Sequence, residues 1–196
     1  FASASYNTAS DGVLLGTTHD DGKVDVEYGY AASAGYTFDN VAFGPLSIKG
    51  GYSYVEGQDD KFDSYFNYFK DFENTALSVT WGSLDSGLYL AALYNDYNTT
   101  YVAQIRECTK GYELVAGYAF DFGLTVLTGY EVSDTKYKSI NSGFVSPSTL
   151  VRRVPVLVNY QVAPSFNIWT EAEFDANSDS YEDRGTKFSA GARYTF

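Results

Sequence analysis

Apolar and polar side chains alternate along most of this chain, and that two-residue period limits the fold more than any other feature. Residues 187–196 read KFSAGARYTF, which places Phe, Ala, Ala, Tyr and Phe on one face and Lys, Ser, Gly, Arg and Thr on the other. Residues 112–122 alternate in the same way. Successive side chains of a strand point to opposite faces of its sheet. The sequence therefore predicts an all-β protein.

Ten segments carry this alternation, and most of them are long. Strands in soluble sheets are typically about five or six residues long, whereas a tilted strand that crosses a bilayer needs about 9–11. The segment lengths therefore favour an antiparallel transmembrane β-barrel with ten strands in this chain. The predicted strands cover approximately residues 1–8, 24–39, 46–57, 74–84, 88–97, 112–122, 124–135, 150–163, 166–176 and 187–196.

The connections between these segments alternate in length, which is an independent signal. Outer-membrane barrels have short periplasmic turns, long outer loops and an even number of strands. Ten segments fit that pattern and place both chain ends on the side of the short turns. The short connections are 40–45, 85–87, 123 and 164–165, and the long polar ones are 10–23, 58–73, 98–111, 136–149 and 177–186.

Composition excludes several classes of protein. The net charge is −12, so the chain lacks the basic face that a nucleic-acid-binding protein needs. One Cys and one His rule out a disulfide framework and argue against a zinc or triad enzyme. No segment approaches the roughly 20 apolar residues of a membrane-spanning helix. We therefore expect one domain over residues 1–196, no cofactor and no catalytic activity.

Aromatic residues are abundant, at 19 Tyr, 14 Phe and 2 Trp. On the predicted lipid face they fall into two groups separated by small and aliphatic residues, as expected for the aromatic girdles at the two interfaces of a membrane barrel. The alternative is a soluble β-sandwich with an aromatic core, which explains neither the loop lengths nor the charges on the other face. The membrane-interface aromatics proposed near the short turns are Trp81, Tyr118, Phe120, Tyr194 and Phe196, and Tyr6, Tyr52, Tyr54, Tyr94 and Tyr130 lie toward the long loops.

The opposite face carries many charged residues, which a dry core cannot hold without a prohibitive desolvation cost. This face therefore predicts a water-filled interior. Its basic side chains either face acidic groups across the pore and tune ion preference, or each neutralises a nearby carboxylate such as Glu131. With a net charge of −12 we expect a mild preference for cations. The proposed pore-lining residues are Lys49, Glu131, Arg153, Glu171 and Arg193.

Several motifs resemble those of Gram-negative general porins. Residues 112–124 read YELVAGYAFDFGL, similar to the "VAQYQFDFGL" hairpin of that family, and residues 87–94 read GLYLAALY, similar to its strand openings. The ending ARYTF resembles the Tyr-x-Phe terminus that the barrel-assembly machinery reads through the last residue, here Phe196. The terminal Phe alone marks almost any outer-membrane barrel, whereas the hairpin is more specific.

The resemblance implies a 16-stranded homotrimer in the Gram-negative outer membrane, surrounded by lipid and lipopolysaccharide, through which small hydrophilic solutes and ions diffuse passively. The chain matches only the last ten strands of such a porin, and we find no counterpart of the inward-folded loop that forms the family's constriction. Because the chain starts directly on a strand at Phe1, we favour the C-terminal portion of a larger porin over a narrow ten-stranded barrel. Ten strands close at a radius of roughly 11 Å and sixteen at roughly 17 Å.

Other functions depend on weaker features. An oligosaccharide-selective channel would use Tyr89 and Trp169 as stacking rings, and a structural or adhesion barrel would act through its long loops. A protease of the omptin type would need His19 beside acidic residues, whereas an isolated loop His is usually just solvated. We expect Cys108 at a loop position and a bulge or weak pairing at Pro155.

Overall fold

The computed structural model describes residues 1–14, 23–58, 69–177 and 185–195, and these contain only strands and turns. Among them there is no helix long and apolar enough to cross a membrane. The predicted all-β class is confirmed. The strands are β1 (Ala2–Asn7), β2 (Ser10–Leu14), β3 (Lys23–Val41), β4 (Gly44–Gly57), β5 (Phe69–Gly82), β6 (Gly87–Tyr101), β7 (Ile105–Ala119), β8 (Leu124–Ser139), β9 (Thr149–Ala163), β10 (Phe166–Asp175) and β11 (Lys187–Tyr194).

All strands belong to one antiparallel sheet whose spatial order follows the sequence, β1-β3-β4-β5-β6-β7-β8-β9-β10-β11. β2 is outside this order because β1 and β2 both pair with β3, one after the other. Asn7 lies opposite Gly29, and Ser10 lies opposite Val26. These two segments occupy the place of one interrupted strand, so the sheet has the ten strand positions that the sequence predicts.

The two ends of the sheet are open edges within the described residues. β1 pairs there only with β3, and β11 only with β10. The ladder at the first edge extends to Phe1, because the Gly35 amide donates to the Phe1 carbonyl at 3.0 Å. The described strands therefore form one continuous hydrogen-bonded wall, with β1 and β11 as its first and last strands.

The strands continue farther toward the long-connection edge than the sequence predicts. β6 and β7 form one hairpin joined by residues 102–104, so the predicted long loop over 98–111 is wrong, and Cys108 lies within β7 opposite Asn98 and Lys136. β8 and β9 leave residues 140–148 as their connection. The paired strands extend past the apolar segments because strand pairing requires only backbone groups, whatever the polarity of the side chains. His19 lies outside the described residues.

The ladder between β8 and β9 is interrupted at Pro155. Pairing runs from Leu124 opposite Tyr160 to Thr128 opposite Val156, and resumes with Glu131 opposite Arg153 in the same register. Proline has no N–H to donate, which explains the gap. Of the two outcomes expected at Pro155, the structure has the weak pairing and not the bulge.

This sheet has almost no dry core. In the described part of the chain, Val26 and Ala119 are the only buried apolar residues, and each is 5% exposed. A soluble sandwich of this length would bury a large share of its apolar side chains between two sheets. The soluble alternative therefore does not fit, and the apolar surface needs an apolar surrounding.

Candidate pore wall and membrane-facing surface

Cross-strand register divides the sheet into two faces. In β4 to β7, Ile48 lies opposite Val79, Val79 opposite Ala92, and Ala92 opposite Leu114, which defines an apolar face. Directly opposed residues share a face. We call this the outer face. The alternate residues of the same strands form the inner face, which includes Lys49, Ser78, Leu93 and Glu113 in the neighbouring row.

Large apolar side chains are exposed on the outer face. Leu114 is 59% exposed, Leu77 50% and Tyr118 47%. Contiguous exposed apolar surface of this extent is rare on soluble monomers and marks a site of contact with lipid or protein. On this face Ala and aliphatic residues occupy the middle of the strands, with aromatic residues on both sides.

The proposed interface aromatics of the described chain all lie at the short-turn end of the sheet. Tyr118 and Phe120 are in ring contact, with centroids 4.7 Å apart, and Tyr194 lies opposite Phe166 at the corresponding level of β10 and β11. Trp81 stacks on Phe43 at 4.2 Å. Phe196 lies outside the described residues. A second group near the other end includes Tyr30 and Tyr54 in contact at 5.5 Å and Tyr94 and Tyr112 at 5.1 Å.

Beyond the second aromatic group the outer face becomes charged. Lys110 Nζ lies 3.9 Å from Asp96 Oδ2, Lys136 Nζ lies 3.4 Å from Asp134 Oδ2, and Arg106 pairs with Glu73. The order from apolar to aromatic to charged is that of a surface passing from hydrocarbon through the interface into water. This band is not predicted from the sequence, because the polarity of residues 98–111 indicates a loop there.

One carboxyl group in this band is stabilised in its charged form. The pKa of Asp134 is lowered, first by a hydrogen bond from the Ser148 hydroxyl and then by the positive charge of Lys136. Ser148 belongs to the 140–148 connection. Asp134 therefore ties that connection to β8.

The inner face holds the five proposed pore-lining residues on five different strands. Lys49 on β4 lies opposite Gly35 and Ser78, and Arg193 on β11 lies opposite Asn167. Glu171 on β10 accepts a hydrogen bond from Ser189 Oγ at 2.9 Å. Only Glu131 and Arg153 are direct cross-strand partners. Lys49 and Arg193 are therefore separated by several strands along the wall, and the described residues do not form one compact basic cluster.

Arg153 makes its ion pair with a residue that the sequence analysis did not select. Its Nε lies 3.2 Å from Glu173 Oε1 and its Nη1 lies 3.3 Å from Glu173 Oε2. Lys187 Nζ also reaches Glu173 Oε1 at 3.2 Å. This agrees with the alternative in which each basic side chain neutralises a nearby carboxylate, although the partner is Glu173 and not Glu131 or Glu171. Glu173 was recognisable from the alternation of β10, which places it on the same face as Glu171.

The inner face is also lined by aromatic rings in two places. Trp169 lies over Gly191, where an added Cβ would be 2.6 Å from the indole Cζ2. Near the long-connection end, Tyr97 and Tyr137 line a cleft together with Glu113 and Glu131. In the described part of the chain, no group of three or more His, Cys, Asp or Glu side chains is placed to hold a metal ion.

The fold is similar to that of OmpF from Salmonella typhi, solved as a complex with daunomycin. The TM-score is 0.63 with 22% sequence identity, and the alignment covers 98% of this chain and 54% of that one. The chain therefore spans about half the length of the solved porin. This likeness confirms, at the level of the fold, the resemblance to general porins. No protein-family model matches the sequence, and no curated protein sequence matches it either.

Proposed function

We propose that this chain forms part of the wall of an outer-membrane porin, through which small hydrophilic solutes and ions diffuse passively. The observation that carries the proposal is the contrast between the two faces of one sheet. The outer face exposes Leu77, Leu114 and Tyr118, whereas the inner face carries the Arg153–Glu173–Lys187 ion pairs. A sheet with these two faces is stable between lipid on one side and water on the other.

The open edges support a barrel with more strands than the ten described here. Edge strands in a bilayer leave backbone N–H and C=O groups unsatisfied at a cost of several kcal/mol each. We therefore propose that further strands pair with β1 and β11 and complete a 16-stranded barrel. A radius of roughly 17 Å leaves room for water beside inward side chains such as Trp169, which would fill most of a ten-stranded barrel of roughly 11 Å.

The position of Lys49, Glu131, Arg153, Glu171 and Arg193 on the inner face supports their proposed pore-lining role. Charges on a pore wall set ion preference through the local potential. The net charge of −12 supports a mild preference for cations. A pore with clear anion selectivity would contradict this part of the proposal.

The proposed surroundings are the Gram-negative outer membrane, with lipid and lipopolysaccharide against the outer face and assembly as a homotrimer. The two groups of aromatic residues and the charged band above them support contact with lipid and with charged headgroups. Recognition by the barrel-assembly machinery through Phe196 rests on the sequence motif alone. We propose no proteolytic function, and His19, the residue that the sequence offers for it, lies outside the described residues.

Solute flux through proteoliposomes tests the proposal directly. We would reconstitute the full polypeptide isolated from outer membranes and measure swelling in arabinose, sucrose and stachyose, together with planar-bilayer conductance. A passive porin gives swelling rates that fall smoothly with solute size. Saturable, sugar-dependent flux would favour the oligosaccharide channel, and absence of both swelling and conductance would favour a structural or adhesion barrel and overturn the proposal.

A further inference from the structure

A cleft of about 650 Å³ opens on the inner face where β6, β7, β8 and β9 approach the long-connection end of the sheet. This volume is in the range of pockets that hold small organic molecules. Gly111 contributes to the space, because a Cβ there would lie 2.7 Å from Asn95 Oδ1. The cleft is distinct from the Arg153–Glu173–Lys187 ion pairs, although the Arg153 side chain forms one of its borders.

The charges around the cleft are unbalanced. Its lining includes three carboxylates, those of Glu107, Glu113 and Glu131, and the Arg153 guanidinium. Glu113 and Glu131 are direct cross-strand partners, an arrangement in which like charges destabilise a sheet. Arg153 lies opposite Glu131 and offsets part of this repulsion, but its Nε and Nη1 are both directed to Glu173, so three carboxylates face one guanidinium that is shared with a fourth. A cation between the two carboxylates would relieve the repulsion.

Aromatic and aliphatic groups make up the rest of the wall. Tyr97 and Tyr137 present their rings, and Leu93 and Val151 add aliphatic surface. Leu93 is 39% and Tyr137 45% exposed, so both are available to a ligand. Rings of this kind attract cations through their π faces and bind apolar bodies by contact.

We propose that this mouth cleft binds an organic cation, with an ammonium group between Glu113 and Glu131 and an apolar or aromatic body against Tyr97 and Tyr137. The mixed lining decides the class of ligand. An inorganic cation would make no use of the aromatic and aliphatic surface, and a neutral saccharide would leave the opposed carboxylates uncompensated. The inference rests on the proposed porin function only in that solutes reach the cleft from the pore.

Paired probes test the assignment on the full polypeptide in detergent micelles. Isothermal titration calorimetry would compare 2-phenylethylammonium with 2-phenylethanol, which has the same body without the charge, and with methylammonium, which has the charge without the body. The variants are Glu113→Gln, Glu131→Gln and both together, with Asp85→Asn as the matched control in a short turn at the opposite end of the sheet. The detergent belt is the same in every variant, so partition of the probe into it cancels.

We expect saturable binding of 2-phenylethylammonium in the wild-type protein and in Asp85→Asn. Each Glu→Gln change should weaken it about tenfold, as expected for losing one charge-assisted hydrogen bond. Tyr137→Leu should weaken binding of 2-phenylethylammonium but leave that of methylammonium unchanged. Wild-type affinity in the double variant, or equal binding of 2-phenylethanol, would overturn the proposal.

The same protein in planar bilayers separates this inference from the porin proposal. Cation binding without any conductance would refute passive diffusion and leave the cleft assignment intact. Conductance without saturable cation binding would refute the cleft assignment alone.

Discussion

Arg153 and Glu173 are diagonal neighbours on β9 and β10, and the guanidinium holds both oxygens of the carboxylate. The direct register partner of Arg153 is Asp175, and that of Glu173 is Pro155. Because Pro155 offers no polar side chain, Glu173 is left to accept from Arg153 on one strand and from Lys187 on the next. This one carboxylate thus connects three strands on the inner face.

Removing either member of this pair should change ion preference in opposite directions. Glu173→Gln leaves two cations uncompensated in the pore wall, so the reversal potential in a KCl gradient should shift toward anions. Arg153→Gln should shift it toward cations. Both side chains are less than one-third exposed, at 28% for Arg153 and 29% for Glu173, and we expect each change to lower the free energy of unfolding by about 1 kcal/mol.

The matched control for this pair is Glu73→Gln. Glu73 pairs with Arg106 on the outer face, so the change removes a similar ion pair outside the proposed pore. Its reversal potential should equal that of the wild-type protein. An equal shift in Glu73→Gln would mean that total charge, and not the inner-face position, sets the preference.

Gly117→Ala should destabilise the sheet by about 1–3 kcal/mol, the usual cost of forcing extra volume into a packed site. A Cβ at Gly117 would lie 2.0 Å from Leu127 Cδ2 and 2.9 Å from the Val126 carbonyl oxygen. The leucine can rotate, but the backbone oxygen cannot move without disturbing the β7–β8 ladder. Urea unfolding in lipid vesicles measures the loss.

Gly50→Ala is the control for that substitution. The nearest atoms to its added Cβ are 3.8 Å away, at ordinary contact distance, so the free energy of unfolding should stay within about 0.5 kcal/mol of wild type. If both variants lost the same free energy, glycine flexibility and not crowding against Leu127 and the Val126 carbonyl would be the cause.

The faces of the sheet are predictable from the sequence because alternation alone assigns each residue to one side. That rule correctly placed Lys49 and Glu171 on one face and Trp81 and Tyr118 on the other. It failed at the strand ends, where polar side chains such as Lys110 and Cys108 were taken to mean a loop. In the proposed membrane orientation, these polar side chains face water beyond the bilayer. The hydrogen-bonded ladder nevertheless continues through those residues.

Ion-pair partners were less predictable than faces. Alternation places Arg153, Glu131 and Glu173 on the inner face but does not say which carboxylate the guanidinium reaches. That choice depends on the β9–β10 register and on the direction of long side chains, since diagonal neighbours are within reach of arginine. The mouth cleft was missed for a similar reason, because alternation does not show where inner-face side chains leave a space between them, and because Glu107 and Tyr137 of its lining had been assigned to loops.

Trp81 should contribute to stability through two separable contacts. Its Nε1 donates to the Val41 carbonyl at 2.7 Å, and its ring stacks on Phe43. Trp81→Phe keeps a ring against Phe43 and loses the hydrogen bond, at a cost of about 1 kcal/mol. Trp81→Leu loses both contacts and should cost about 2–3 kcal/mol. Equal unfolding free energies for the two variants would mean that the stack contributes nothing.

Acid should release the 140–148 connection from β8 only below the ordinary titration range of an aspartate. The Ser148 hydrogen bond and the Lys136 charge lower the pKa of Asp134, so this carboxylate stabilises the folded loop above its unfolded pKa of about 3.9. The stabilisation is lost as pH falls through the lower pKa of the folded state. Pepsin cleavage at Phe144, which is 63% exposed, would report the release.

Three variants define the expected pH profile of cleavage. Ser148→Ala removes the larger cause of the lowered pKa, so the onset of cleavage should move to higher pH. Asp134→Asn has no titratable group at position 134. Cleavage of the 140–148 connection in this variant should therefore show no pH-dependent step that originates from that residue. Ser142→Ala disturbs a local contact with Phe144 without touching Asp134, so its onset should match that of the wild-type protein. An unchanged onset in Ser148→Ala would show that the Asp134–Ser148 hydrogen bond does not hold the connection in place.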